Sequence, residues 1–494
     1  MTLTLPRRLA AVIVAVGLAA TASAQNPRWP SSSPPRPLAA REVKFPPYVV
    51  RTLPNGLQVV VVMHAEQPAV SMRAIVRAGG AQDPDGRPGV AAMVSTLLDQ
   101  GTSTRSAAQV ADAIDSIGGD LETGLGRDLS FANVTVMKDS LELGASLLAD
   151  VLRNPAFAQE ELERQRQQTL SALQVAYEDP EFLADVVFDR LVYGSHPYGA
   201  PGNGTVESIK AITREDLLAF HARFFAPNNT LLAIVGDVTV DEALAVAVKV
   251  FGEWTRAEAP PEPAVKPPEP AKRVVLVDRP GAVQTEIRVG HAGIARKNND
   301  YMALDLAVRI LGGEGANRLH RVLRSERGLT YGASADNETL KRSGQFVAQT
   351  STRSETTGEA LRLIVDEIWK LKRERVGEGE LEGAKAYLSG NFPLTIETPN
   401  DIATHVLNAL FYELPMEELE TFRQRVNRVD VDDIEGVAMR YLRPDRLSVV
   451  LVGNAAAIGE QLRGVGFGKY ELVKLEELDL TTPDFRRKGP EARQ

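Results

Sequence analysis

Two stretches share one plan: Phe224-Phe-Ala-Pro-Asn-Asn-Thr-Leu-Leu-Ala-Ile-Val-Gly-Asp-Val238 and Tyr441-Leu-Arg-Pro-Asp-Arg-Leu-Ser-Val-Val-Leu-Val-Gly-Asn-Ala455. In both, a proline stands nine residues before a glycine and an apolar run fills the interval. Such a run, bounded by Pro and Gly, reads as a β-strand. Upstream of each lies an acidic helix start, Thr213-Arg-Glu-Asp-Leu217 and Asp430-Val-Asp-Asp-Ile434, with Phe224 and Tyr441 in equivalent places. The openings also correspond: residues 57–62 then 69–76 against 274–277 then 283–289, each a strand, a turn at Pro68 or Gly281, and a second strand. Three matches in the same order at a near-constant offset argue for internal duplication. Each half runs strand, strand, long helices, strand, helix, strand, which is an α+β pattern. The predicted fold is two homologous lobes, each a mainly antiparallel sheet flanked by helices, joined by a Pro-rich linker into a clam-like body around an enclosed space.

The chain outside these repeats divides by composition. Residues 1–24 carry Arg7 and Arg8, then an apolar run, then Ala22-Ser-Ala24, the pattern of a cleaved signal peptide. The apolar run falls short of the ~20 residues a spanning helix needs. Residues 25–47 read as a flexible leader, 48–258 as the N-terminal lobe, and 259–271 as the linker. Residues 272–480 read as the C-terminal lobe and 481–494 as a tail. No later stretch is apolar enough to cross a membrane, so the expected location is the periplasm.

Composition removes several classes of function. The 494 residues carry 65 acidic and 56 basic side chains, a net charge of −9, which does not suit a nucleic-acid binder. With no cysteine, disulfides, Cys-ligated zinc, iron–sulfur clusters and thiol nucleophiles are excluded. Six histidines remain for imidazole chemistry: His64, His196, His221, His291, His320 and His405. No pair of them is spaced to share a helix face or a short chelating loop. No G-x-S-x-G stands in a strand–turn–helix context, so a serine hydrolase has no support.

The stretch Arg87-Pro-Gly-Val-Ala-Ala-Met-Val-Ser-Thr-Leu-Leu-Asp-Gln-Gly-Thr102 resembles the region around the inverted zinc motif of the M16 peptidases, the pitrilysin-like and mitochondrial-processing-peptidase-like family. The similarity continues through Gly118-Gly119, Asp128-Leu-Ser-Phe131, residues 160–172, Gly194-Ser-His-Pro-Tyr198 and residues 228–236. The resemblance implies a helix carrying H-x-x-E-H, in which two imidazoles one turn apart bind Zn²⁺ and the Glu activates water. A Glu on a later helix completes that ligand set. Here the histidine positions are Ala92 and Thr96, the base position is Ser95, and the distal ligand falls near Ala172. Methyl and hydroxyl groups do not replace imidazole at zinc, so this chain is expected to hold no cofactor and to hydrolyse nothing alone. His196 occupies a recurrent family loop and reads as structural.

The glycines of Leu311-Gly-Gly-Glu-Gly-Ala-Asn-Arg-Leu-His-Arg-Val-Leu-Arg-Ser-Glu-Arg-Gly-Leu-Thr-Tyr331 do not form a phosphate loop, because G-x-x-x-x-G-K-[ST] is not present. The segment resembles the C-terminal-domain motif of M16 peptidases, in which an Arg and a Tyr seven residues apart lean into the active chamber. Arg324 and Tyr331 match in identity and spacing. Arg324 is expected in the last turn of a helix ending at Gly328, and Tyr331 at the start of the next strand. A guanidinium can hold a substrate carbonyl and a phenol can donate to an oxyanion. On residue types alone the pair reads as a surface Arg and a half-buried core Tyr.

In two-chain bacterial M16B-type enzymes this pair completes the partner's zinc site. The resemblance therefore implies a non-catalytic subunit of a heterodimer. The expected partners are an HxxEH-containing M16 paralogue carrying Zn²⁺ and a peptide in the inter-subunit chamber. The edge strand at 121–124, with Glu122 and Thr123, is the counterpart of a substrate-binding strand. The competing expectation is a structural or peptide-binding M16-like protein with no role in proteolysis.

Overall fold

The computed structural model describes residues 43–258, 266, 268–313 and 317–487. Residues 1–24, read above as a signal peptide, and most of the stretches read as leader and linker, with the last residues, lie outside the described residues. The first lobe holds β1 (Tyr48–Thr52), β2 (Gln58–Met63), β3 (Ala69–Val76), β4 (Asp120–Leu125), β5 (Ser130–Met137) and β6 (Thr230–Gly236). They form one sheet in the order β1-β2-β6-β3-β5-β4. The second lobe holds β7 (Arg273–Asp278), β8 (Gln284–Ala292), β9 (Ala333–Thr339), β10 (Gly344–Arg353), β11 (Ser448–Gly453) and β12 (Glu471–Lys474). Their order is β12-β7-β11-β8-β10-β9. Strands β2 to β6 therefore repeat as β7 to β11. Each sheet is mainly antiparallel, with the parallel pair β2–β6 repeated as β7–β11.

The sheets differ at one edge. In the first, β1 precedes β2 and pairs with it antiparallel; in the second, β12 comes from the end of the chain and pairs parallel with β7. The segment after β12 corrects the reading of 481–494 as a tail. Phe485 is fully buried in one apolar cluster with Val473, Val275 and Val277, so residues 481–487 belong to the packed body.

The repeated strands β6 and β11 are buried along their whole length. Inward-facing residues of a strand normally alternate with solvated ones, so full burial means that both faces are covered. One face packs on the lobe's own helices, through Leu232 and Ile234 in the first lobe and Val449 and Leu451 in the second. The other face is covered by a helix lent by the opposite lobe. The helix Pro180–Tyr193 lies on β8 and β11, and the helix Pro399–Phe411 lies on β3 and β6. Val450 and Val452 of β11 share an apolar cluster with Leu183, Val187 and Leu191.

These helices are a fourth repeated segment. Pro180-Glu-Phe-Leu-Ala-Asp-Val-Val-Phe-Asp-Arg-Leu-Val-Tyr193 aligns with Pro399-Asn-Asp-Ile-Ala-Thr-His-Val-Leu-Asn-Ala-Leu-Phe-Tyr412. Both start on a proline in the first turn, where its missing N–H costs nothing. Both are capped by the preceding side chain, Asp179 accepting from the Glu181 amide and Thr398 from the Asp401 amide. Gly194, at φ +56°, ends the first of them in the left-handed region that favours glycine. No helix among the described residues is long and apolar enough to cross a membrane.

Candidate functional site

The helix Val90–Leu97 starts at Gly89, which adopts φ +99° and packs so tightly that an added Cβ would stand 2.9 Å from the Gly204 Cα. The Asp83 carboxylate holds this start, accepting from the Gly89 amide at 2.6 Å and the Ala91 amide at 2.7 Å. Burial pushes the Asp83 carboxyl up to about 7, against the pull of those two hydrogen bonds. The helix thus presents Ala92, Ser95 and Thr96, one turn apart, toward the helix Gln159–Ala176, which carries Ala172.

All four positions line one cavity of about 440 Å³. Gly124 and Leu125 of β4, Met93, Leu173, Phe182 and Ile209 also contribute to its wall. The sequence reading missed these six, because they come from five separate parts of the chain. The hydroxyls present are engaged within the protein: Ser95 Oγ lies 3.2 Å from Ser130 Oγ, and Thr96 Oγ1 donates to the Ala92 carbonyl at 2.5 Å. No lining residue is His, Cys, Asp or Glu. Zinc takes imidazole, thiolate or carboxylate ligands, so the donor set does not fit the metal. Among the described residues, no group of three or more such side chains is placed to hold a metal ion anywhere.

Glu122 and Thr123 lie on β4, which is an edge strand. They do not join the cavity wall, which takes Gly124 and Leu125 instead. His196 is buried, with Nδ1 accepting from the Tyr198 amide at 3.1 Å and its ring against Tyr198, which makes it a turn cap.

A second cavity, of about 490 Å³, brings Arg324 and Tyr331 together with Glu181, Glu286, Arg288 and His320. Arg324 lies in the last turn of the wide helical segment His320–Glu326, its guanidinium 3.0 Å from His320 Nε2. Gly328 then reverses the chain at φ +61°. Tyr331 corrects the sequence expectation: β9 starts at Ala333, so the tyrosine sits on the loop before the strand and is 94% exposed. It is neither strand nor half-buried core. Thr330 Oγ1, bonded to the Gly332 carbonyl and to Thr350 Oγ1, ties that loop to β10.

The start of the helix Pro180–Tyr193 contributes to both cavities. Glu181 lines the charged one and Phe182, the next residue, lines the uncharged one. Arg288, 2% exposed, spans from β8 to this helix, with Asp185 at 2.6 Å and Glu286 at 3.3 Å. Burial raises the Glu286 carboxyl above the usual range, while Ser351 and Arg288 act in the other direction.

The profile of the insulinase-type peptidase family M16 matches residues 58–196, and that of the peptidase M16 inactive domain matches residues 211–388. A protein named an uncharacterized zinc protease from Mycobacterium leprae is 28% identical over 394 residues, 79% of this chain and 88% of that one. One of the same description from Mycobacterium tuberculosis is 26% identical over 445 residues, covering 89% and 99%. The crystal structure of a peptidase M16 inactive domain from Pseudomonas fluorescens superposes with a TM-score of 0.79 at 28% identity, over 82% of this chain and 98% of that one. A protease from Helicobacter pylori shares the fold, with a TM-score of 0.78 at 23% identity, over 82% and 99%.

Proposed function

We propose that this chain, which belongs to the M16 peptidase family, is the non-catalytic subunit of a two-chain zinc metallopeptidase. It acts after export, in the periplasm, beside an M16 paralogue that bears the H-x-x-E-H motif and the Zn²⁺. The observation that carries this reading is the contrast between the two cavities. The positions that the family motif gives to zinc ligands, Ala92, Thr96 and Ala172, and to the base, Ser95, converge on a wall without a metal donor. Arg324 and Tyr331 converge on another that is charged and open.

In this reading Arg324 binds a carbonyl of the peptide through its fork of N–H donors, and His320 positions the guanidinium. Tyr331 donates its phenol proton as a hydrogen bond to the oxygen that becomes negative as the scissile carbonyl turns tetrahedral. Its exposure suits a group that acts across an interface rather than within its own core.

The test is reconstitution with the H-x-x-E-H paralogue. Arg324→Ala or Tyr331→Phe is expected to lower kcat/KM of the pair by about 10- to 1000-fold, the scale for losing a transition-state donor. Assembly, measured by size-exclusion chromatography, should persist. Unchanged kinetics in both variants would reduce the second lobe to scaffold.

A further inference from the structure

We propose that Thr350 of β10 is a positioning residue for Tyr331: its buried hydroxyl holds the loop 329–332 to the strand and so fixes where the exposed phenol stands. The proposal rests on the reading of Tyr331 as a transition-state donor, and its experiment separates the two.

The need for such a residue follows from exposure. At 94% exposed, the Tyr331 ring packs on almost nothing, so its direction is inherited from the loop backbone. A donor to a developing oxyanion has to be held within about 0.5 Å of the productive geometry. A misplacement of about 1 Å can cost about 100-fold in rate. A loop without a brace would not meet that demand.

The brace lies where the sheet ladder stops. β9 pairs with β10 only as far as Ala333, opposite Thr350, whereas β10 runs on to Arg353 beside β8. Beyond that point hydroxyls take over from the backbone. Thr350 Oγ1 lies 2.8 Å from the Gly332 carbonyl and 2.9 Å from Thr330 Oγ1, so it touches both neighbours of Tyr331. Thr330 Oγ1 in turn accepts from the Gly332 amide at 3.1 Å. Two residues further along β10, Thr352 Oγ1 donates to the Leu329 carbonyl at 2.8 Å. Thr350 and Thr352 share one face of the strand and are 4% and 2% exposed. A buried β-branched side chain has little freedom at χ1, which suits a fixed point. At the other end of the loop the Gly328 amide donates to the Arg324 carbonyl at 3.1 Å and the Leu329 amide to the Leu323 carbonyl at 2.8 Å. Those bonds secure the Arg324 end; the hydroxyls secure the Tyr331 end.

Thr350→Val keeps the branched shape and removes the hydroxyl, whereas Thr350→Ser keeps the hydroxyl. With the full chain alone, hydrogen exchange of the segment 329–333 should quicken by about tenfold in Thr350→Val, the scale of one lost hydrogen bond, and stay parental in Thr350→Ser. In the pair reconstituted with the H-x-x-E-H paralogue, Thr350→Val should lower kcat by about tenfold with KM held within about twofold, and Thr350→Ser should keep the parental kcat. In a Tyr331→Phe background, Thr350→Val should cost nothing further, because the group it places is gone. Thr330→Val cuts the same bridge from the partly exposed loop side and should give the same results, which keeps the test open should the buried valine impair folding. Parental exchange in both valine variants, a kcat loss that serine does not restore, or a loss that adds in full to that of Tyr331→Phe would overturn the proposal and leave the role of Tyr331 standing. Parental kinetics in Tyr331→Phe would remove that role, and the proposal with it.

Discussion

Arg73 and Arg288 stand at the same place in the two copies of the fold. Arg73 on β3 faces Asn133 of β5 and Ala233 of β6, while Arg288 on β8 faces Gln349 of β10 and Val450 of β11. Each reaches the helix lent by the opposite lobe. Arg288 meets carboxylates there: Asp185 at 2.6 Å and Glu181 at 3.8 Å, with Glu286 of its own strand at 3.3 Å. Arg73 meets an amide, Asn400 Oδ1 at 3.5 Å, and its guanidinium lies 4.0 Å above the Phe131 ring. The residue aligned with Glu181 is Asn400, and the one aligned with Asp185 is Thr404. One clasp is therefore ionic and the other is polar and aromatic. The ionic clasp borders the cavity of Arg324 and Tyr331. The lobe whose Arg324 and Tyr331 are proposed to act on a substrate is the one that charge fixes to its neighbour.

The largest effect should come from removing each arginine in turn. Arg288→Met leaves the partly buried Glu286 without its counter-charge and withdraws the guanidinium that Asp185 and Glu181 also face. Since Asp185 and Glu181 are more than half exposed, solvent screens part of the loss, and the cost should be about 2–3 kcal/mol. Arg73→Met forfeits one long hydrogen bond and a cation–π contact, for about 1 kcal/mol. Urea denaturation of both variants measures the gap. Equal losses would make the clasps equivalent and dissolve the comparison.

A smaller effect isolates the charge itself. In an Arg288→Met background, Glu286 loses the cation that holds its pKa down, and burial raises it further. A carboxyl whose folded pKa lies above the unfolded one keeps its proton in the folded protein after the unfolded chain has lost it. Its cost therefore grows as pH rises from the unfolded pKa through the folded one. Adding Glu286→Gln to Arg288→Met should restore about 1 kcal/mol at pH 7 and less at pH 5. The position aligned with Glu286 in the first lobe is Ser71, which bonds to Asn133, so no such pH dependence is expected there. A rescue independent of pH would assign the loss to packing.

How much of this the chain announces depends on distance along it. The strands β6 and β11 are legible because Pro227 to Gly236 and Pro444 to Gly453 repeat a local pattern. The lent helices are not. Leu183, Val187 and Leu191 give an apolar stripe at helical spacing, but periodicity states that a face is buried and not which sheet buries it. Likewise Ala92, Ser95, Thr96 and Ala172 are assembled by resemblance to a motif whose chemistry has gone. Phe182 and Leu125 reach the same cavity through tertiary packing that no local pattern encodes. The loop position of Tyr331 escapes the sequence for a related reason: Gly332 delays the strand by two residues, and strand ends are set by ladder partners in β10 rather than by propensity.

The smallest expected effect would make the two clasps alike. Asn400→Asp puts a carboxylate where Arg73 now meets an amide, at the second position of the helix Pro399–Phe411, where a negative charge also suits the helix N-terminus. Asp401, which lies in the same turn and accepts a hydrogen bond from the Thr398 hydroxyl, opposes the new charge, so the net gain should be about 0.5 kcal/mol. The gain should fade as salt is added, because the pair is partly exposed. It should also add to, rather than rescue, the loss in Arg288→Met, since the two clasps share no partner. A thermal midpoint that rises at low salt and returns toward that of the parent at high salt confirms an electrostatic difference between the lobes. A fall at low salt would mean that the neutral clasp is tuned to Phe131 and Glu122 rather than merely lacking an acid.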